Sequence, residues 1–268
     1  MKRAADIMYG KEKNMEDLHS ILVNLLSNVA WLPVGVILAY LGFWIQVRFP
    51  NRKLWRLKDP SHLVVCAANS TTTNTGVYQR PATGVGQLRA LVLATRSLHR
   101  AYRRQLDIQN ILLSSEPLQE RIENDLLILG GSQNNETTAK FLELLNNEQP
   151  AKIIGRMIIW RTNYRGGRWM DQGALEYEGH AINRKIVMDY GLIVRTSNPF
   201  TSRDRTAILF AGSHTYGTIA SAKFFTEDLH KHLRKLTQHG RKNLAILVSS
   251  HIVNGYPTKI NIERSYAW

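Results

Sequence analysis

The chain has 268 residues, with 35 Lys and Arg against 21 Asp and Glu, and a single cysteine, Cys66. That length allows one sizeable core plus an appendage, and one cysteine excludes an intrachain disulfide and a cysteine-rich metal site. The basic excess favours anionic partners such as nucleotides, nucleic acid or an anionic membrane face, with a solvated basic surface as the plain alternative.

Residues 1–20 read as a polar N-terminal segment. Between Asp17 and Arg48 there is no Asp, Glu, Lys or Arg. The stretch ILVNLLSNVAWLPVGVILAYLGFWI, Ile21 to Ile45, is long enough for one transmembrane helix, which takes roughly 20 apolar residues. A helix crossing the bilayer over residues 21–47 is therefore expected. A signal peptide fits less well, because the apolar region is long and Arg48-Phe49-Pro50 follows it instead of a small-residue cleavage site. A buried core helix is the other reading. Arg48, Arg52, Lys53, Arg56 and Lys58 crowd the C-terminal flank, while Glu12, Glu16 and Asp17 stand nearest on the other side. The positive-inside rule then expects a single-pass inner-membrane protein with its large C-terminal part in the cytoplasm. Asn24, Asn28, Gly35, Ala39 and Gly42 fall along one side of the helix. Small and amide side chains in lipid mark helix–helix contacts, so a homo-oligomer joined through this face is expected. Contact of Asn24 and Asn28 with inner-membrane lipid headgroups is the alternative.

Residues 48–60, FPNRKLWRLKDP and the preceding Arg48, read as a basic juxtamembrane linker, and residues 61–268 as one domain. Three strand–loop–helix units stand out there. HLVVCAA (His62 to Ala68) is a buried strand, followed by a Ser/Thr/Asn-rich loop and a helix from about Gly86 to Gln105. Its apolar stripe is Leu88, Leu91, Val92, Thr95, Leu98 and Tyr102. DLLILGGSQNNETTAKFLELL (Asp125 to Leu145) gives a strand, a Gly-Gly turn and a helix with Asn134 or Asn135 as N-cap. AILFAGSHTYGTIASAKFF (Ala207 to Phe225) repeats the outline. Alternating strands and helices predict an α/β domain, a Rossmann-like, mostly parallel sheet. The stretch from Ala151 to Asn198, with Gly-rich turns between β-type runs, predicts an antiparallel β extension. NLAILVSSHIV and TKINIERSYAW give a further buried strand and a final alternating one.

In an open parallel sheet, ligands bind outside the carboxyl ends of the strands. Three loops should gather there, each ahead of a helix whose free N–H groups can face an anion. The first supplies Asn69, Thr71, Gly84 and Gly86. The second supplies Gly130, Gly131, Ser132 and Asn134. The third supplies Gly212, Ser213, Thr215, Gly217 and Thr218. None is a Walker A loop, and TGVGQLRA departs from GxGxxG at Arg89. Together they point to a nucleotide-like ligand, against the alternative that the glycines serve only turns and packing.

Other clusters are thinner. Glu176, Glu178 and His180 alternate, as side chains on one face of a strand do, which suits an acid/base or metal cluster or, more commonly, the solvated face of a hairpin. His214 directly follows Ser213, but GSHTYG is not a GxSxG elbow. Arg96, Arg100, Arg103 and Arg104 make a basic helix face. No catalytic set, metal set or cofactor is assigned.

A one-helix anchor joined to a domain with the loops ILGGSQNNETT and AGSHTYGT resembles the membrane-anchored effectors of bacterial antiphage, nucleotide-signalling defence systems. The resemblance covers the arrangement and roughly Ser61 to Trp268. It implies a Rossmann-like cytosolic sensor that binds a nucleotide or oligonucleotide, an oligomeric membrane-perturbing or pore-forming assembly, and a partner protein that generates the signal. The catalytic acidic residues of some such enzymes have no identifiable counterpart here. Two other readings stand beside it. One is a membrane-tethered enzyme on a nucleotide or NAD-like substrate, using Ser132, Glu176, Glu178 or His214. The other is a basic scaffold for nucleic acid or anionic lipid.

Overall fold

A computed structural model describes residues 2–74, 76, 79–116, 118–148, 159–163, 166–170, 176–178, 180–182, 185–237 and 242–268. The chain divides into two units, Met1–Phe49 and Pro50–Trp268.

In the first unit, α1 (Lys2–Phe43) runs into a π-helical turn, Trp44–Arg48. The segment expected to be polar and separate is thus helical and continuous with the apolar stretch. From Leu22 onward the helix is long and apolar enough to cross a membrane, and none of its most apolar window is buried within the chain. Leu25, Leu26, Trp31, Leu32, Val36 and Leu38 all stand exposed. The reading as a core helix therefore fails within one chain: this much apolar surface needs a cover from outside it. Of the predicted contact face, Asn24 and Ala39 are exposed, and open space lies where a Cβ would stand on Gly35 and Gly42. Residue 28 has its backbone in α1, and its side chain lies outside the described residues.

The second unit opens with α2 (Phe49–Trp55), which carries Pro50 onward into the domain. Its last residues, Leu54 and Trp55, are buried in the main core. Residues 48–60 are therefore not a free linker. Trp55 stacks edge-on against Phe225 and Phe210, with ring centroids 5.0 and 6.4 Å away, and its Nε1 donates to Ser97 Oγ at 2.9 Å.

The central sheet contains β1 (Val64–Ala67), β4 (Ile111–Leu113), β5 (Leu126–Leu129), β10 (Lys185–Ser197), β11 (Thr206–Gly212), β12 (Leu244–Val253) and β13 (Tyr256–Ala267). Their order is β13-β12-β10-β11-β5-β1-β4, and β9 (His180–Ile182) pairs with the outer part of β10. Four strands, β4, β1, β5 and β11, are parallel. The other three are antiparallel to their neighbours. The parallel core was legible, because VVCA, LLIL and TAILFAG are buried along their whole length, as strands covered on both faces must be. The sheet is nonetheless not mostly parallel throughout. β10 is inserted between β11 and β12 as a full member, where a decorating extension was expected.

Two layers of helices cover the sheet. α3 (Val85–Tyr102), α5 (Thr215–Lys223) and α6 (Leu229–Leu236) pack on one face. α4 (Glu136–Glu148) covers the other through Phe141 and Leu145. The buried stripe of α3 is Ala90, Ala94, Leu98 and Ala101, while Leu88 and Val92, expected in it, are exposed. Alanines let α5 approach closely, and that close approach outweighs burial of the larger side chains. The first loop carries a hairpin of β2 (Thr71–Asn74) and β3 (Gln79–Ala82). β6 (Ile159–Asn163), β7 (Gly166–Met170) and β8 (Glu176–Glu178) form a separate small sheet. Glu176 and Glu178 thus fall on β8 and His180 on β9, in two different sheets. The single strand face proposed for them does not exist, and their side chains lie outside the described residues.

Candidate functional site

The order of the parallel strands reverses at β1: the chain steps to β4 on one side and later to β5 on the other. A crevice is expected at the carboxyl ends of β1 and β5, because the connections leave in opposite directions there.

The strand ends at this edge are knitted together. Ala68 N donates to Leu129 O at 2.9 Å, and Ser114 N to Ala67 O at 2.8 Å. Asn69 N donates to Ser114 Oγ at 3.2 Å and its Nδ2 to Ser115 Oγ at 3.3 Å. Ser114 Oγ in turn donates to Asn134 O at 3.3 Å. Asn69 and Asn134, both predicted from sequence, therefore meet through Ser114, which was not. Thr71 pairs by its backbone with Ala82 in the hairpin above β1, and its side chain lies outside the described residues. Gly130 has φ +107°, with its N–H donating to Phe210 O at 2.8 Å. A side chain there would be strained in this left-handed conformation, and its Cβ would stand 2.7 Å from Ala68 Cβ. Gly131 and Ser132 follow, half-buried at the mouth.

The three helix starts differ in what already occupies them. At α4 the N-cap is Asn135, not Asn134. Its Oδ1 accepts from Thr138 N at 3.1 Å while its Nδ2 donates to Leu129 O and Cys66 O. At α5 the helix end is filled by Asp189, which reaches over from β10. Its Oδ2 accepts from Gly217 N at 2.6 Å, and its Oδ1 from Tyr190 N at 2.9 Å and His214 N at 3.2 Å. A fully buried carboxylate thus sits where a phosphate would bind, against the positive end of the helix. Gly212, Gly217 and Thr218 are consumed by packing: a Cβ on Gly217 would strike Tyr190 O, and one on Gly212 would strike Thr218 N. The third loop is therefore a strand–helix contact, and among its predicted residues Ser213 and Thr215 remain in place to face a ligand. At α3 the cap position is Gly84, with no side-chain cap. Its first turn touches that of α5, since a Cβ on Gly86 would stand 2.6 Å from Thr215 O.

Beside that uncapped start lie polar atoms without partners. Thr83 Oγ1, Gln87 Oε1 and Ser213 Oγ are buried and make no hydrogen bond, the only other such side-chain atom among the described residues being Arg195 Nε. Gln87 and Ser213 are 8% and 5% exposed. Gln87 lies between the loops, its Oε1 2.6 Å from a Cβ built on Gly84 and its Nε2 3.2 Å from one built on Gly130. Buried polar atoms normally find partners, so three orphans at one sheet edge mark a place where an outside group would supply them. Sequence reasoning missed Gln87 and Thr83. The signal available was their place on either side of the helix start, Thr83 just before the Gly84 cap and Gln87 in the first turn.

Two groups that sequence alone did not connect are Asp189 and His214, whose Nδ1 lies 3.2 Å from Asp189 Oδ1. The Cys66 thiol, buried on β1 and bonded to Thr137 and Asn135, has its pKa raised by burial, so it is not a reactive thiolate.

No family model matches the chain, and no curated protein or solved structure gives a match.

Proposed function

We propose that the chain is a membrane-anchored effector whose Rossmann-like domain senses a nucleotide or short oligonucleotide at the carboxyl edge of its sheet, in the manner of bacterial defence effectors. The anchor is the apolar part of α1 in the inner membrane, and the domain stands on the cytoplasmic side. Oligomers form through the face bearing Asn24, Asn28, Gly35, Ala39 and Gly42. The observation that carries the reading is the coincidence of an uncapped helix start with three orphaned polar atoms at the strand-order reversal. The free N–H groups of α3 suit a phosphate. Gln87 Oε1 suits a donor such as a ribose hydroxyl or a base amine.

For such binding to control the membrane, the ligand must favour one assembly state over another. The chain enters the domain at the opposite, amino edge of the same sheet, through α2. A ligand that shifts the carboxyl ends of β1 and β5 therefore acts on the strands whose other ends hold α2. The test is dye or ion leakage from liposomes containing the full-length protein, against a panel of mononucleotides, cyclic dinucleotides and short oligonucleotides. The reading expects one ligand class to change leakage at least several-fold. Binding with unchanged leakage would contradict the effector role, and no binding by any of the panel would contradict the ligand class.

A membrane-tethered enzyme is the second reading, favoured by the Asp189–His214 pair beside the orphaned Ser213 hydroxyl. It requires turnover of a nucleotide or NAD-like substrate that is lost in His214→Ala.

A further inference from the structure

The amino edge of the sheet holds a basic site that the fold leaves partly unused. Arg195 lies near the end of β10 and is 2% exposed. Its Nη1 donates to Leu54 O at 2.8 Å and Lys53 O at 3.3 Å, and its Nη2 donates to Lys242 O at 2.9 Å. These acceptors are backbone carbonyls, two of them at the C-terminal end of α2, so they offer partial negative charge only. Arg195 forms no ion pair among the described residues, and its Nε–H has no acceptor. A guanidinium held this way is short of one hydrogen bond and of a full counter-charge, a costly state for a buried ion.

The surroundings add to the deficit. Arg195 lines a cavity of about 20 Å³ together with Arg56, Arg205, Lys242, Asp204 and Ser197. Asp204 is the one acidic side chain of that lining, and it is bonded to Lys58 at 2.5 Å. Arg205 has Asp59 at 3.8 Å. Arg195, Arg56 and Lys242 thus have no carboxylate of their own among the described residues, Arg56 Nη1 donating instead to Lys242 O at 2.7 Å, and the one carboxylate of the lining is already shared with Lys58. Burial, together with the neighbouring Arg56 charge, pulls the Arg195 pKa down to about 9, in keeping with positive charge that lacks compensation. A water-sized atom needs about 10–15 Å³. The space beside Arg195 therefore admits one oxygen of an oxyanion, with the rest of the group at the mouth, where Lys242 is exposed.

We propose that this cavity binds a phosphate group, one oxygen accepting from Arg195 Nε–H and the others neutralised by Arg56, Arg205 and Lys242. Two sources present that chemistry: the headgroup of an anionic phospholipid and a soluble phosphate. The chain favours the first. Arg56 directly follows α2 and stands only eight residues in sequence beyond Arg48, the first charged residue after the apolar stretch. The site is separate from the carboxyl edge and stands whether or not a nucleotide binds there.

The experiment uses full-length protein in neutral detergent micelles, with thermal unfolding as readout. One arm titrates inorganic phosphate. The other adds phosphatidylglycerol to the micelles, with phosphatidylcholine as control. Saturating the site at about a hundred times the dissociation constant should raise Tm by roughly 5–10 °C. Lys242→Glu, a change at the exposed mouth, should lose most of that shift, and Arg100→Glu, on the outer face of α3, should keep it. A shift with phosphatidylglycerol alone identifies a headgroup site, and a shift with both probes identifies a general phosphate site; either upholds the proposal. No shift with either probe, an undiminished shift in Lys242→Glu, or an equal loss in Arg100→Glu overturns it.

Discussion

The two edges of the central sheet are built on opposite terms. At the amino edge the backbone is tied down from many directions. Asp125 Oδ2 accepts from Lys58 N at 2.7 Å and Asp59 N at 2.5 Å, and its Oδ1 accepts from Thr206 N at 2.7 Å. Thr206 Oγ1 donates to Arg56 O, Arg52 Nε to Ala101 O, and Tyr102 Oη accepts from Leu57 N. At the carboxyl edge one helix start is uncapped and three polar side-chain atoms have no partner. The backbone is tied by side chains where the chain enters through α2, with Arg195 Nε as the one orphan there, and three of the four orphaned side-chain atoms among the described residues lie at the carboxyl edge, where the proposed ligand would meet them.

Substitutions can break that contrast, and the largest effect belongs to the amino edge. Trp55→Ala empties a fully buried site between Phe210 and Phe225. It should cost about 3–5 kcal/mol, read as a lower midpoint in thermal or denaturant unfolding. Asp125→Asn comes next. An amide cannot accept at both positions, so at least one buried N–H loses its partner, and the loss should be about 2–3 kcal/mol. Burial raises the Asp125 pKa even though three backbone N–H groups oppose it. The folded state therefore holds this proton more tightly than the unfolded one. The group's contribution is therefore greatest below its unfolded pKa and is lost as pH rises through its raised folded pKa. Asp125→Asn should remove that part of the acid-side pH dependence.

Smaller effects are expected at the carboxyl edge. Asp189→Asn weakens the charged cap of α5 and should cost about 1–2 kcal/mol, with ligand binding retained. Loss of binding at unchanged stability would show instead that α5 is the ligand site. Gln87→Ala and Ser213→Ala remove atoms that have no partner, so each should change stability by less than about 1 kcal/mol. Each should also weaken nucleotide binding several-fold in calorimetry. Large destabilisation with unchanged binding would show that these atoms serve the fold.

Much of this organisation was legible in sequence. The apolar run from Ile21 to Ile45 announces itself by length, and short apolar runs followed by helices announce β1, β5 and β11. Non-local choices were not legible. Nothing in DYGLIVRTS tells that its strand inserts between β11 and β12, that Asp189 caps a helix begun 26 residues later, or that Arg195 is buried under α2. Trp55 looked like part of a basic linker because charges surround it in sequence, yet its ring fills the core. One local signal went unread. Asn254 and Gly255 both have positive φ, 51° and 70°, and join β12 to β13 as an Asn-Gly hairpin turn does. In the site, the loop glycines drew attention, but Gly86, Gly212 and Gly217 serve close packing, while Thr83 in the polar loop and Gln87 in the helix that follows were not singled out.

The central claim, that a ligand is sensed at the carboxyl edge, is tested most directly by hydrogen–deuterium exchange on the full-length protein in lipid nanodiscs, with and without the tightest-binding nucleotide. The account predicts new protection in residues 82–88 and 130–135, with the first turn of α5 little changed. Protection confined to residues 52–58 and 205–206, or centred on the first turn of α5, would contradict it.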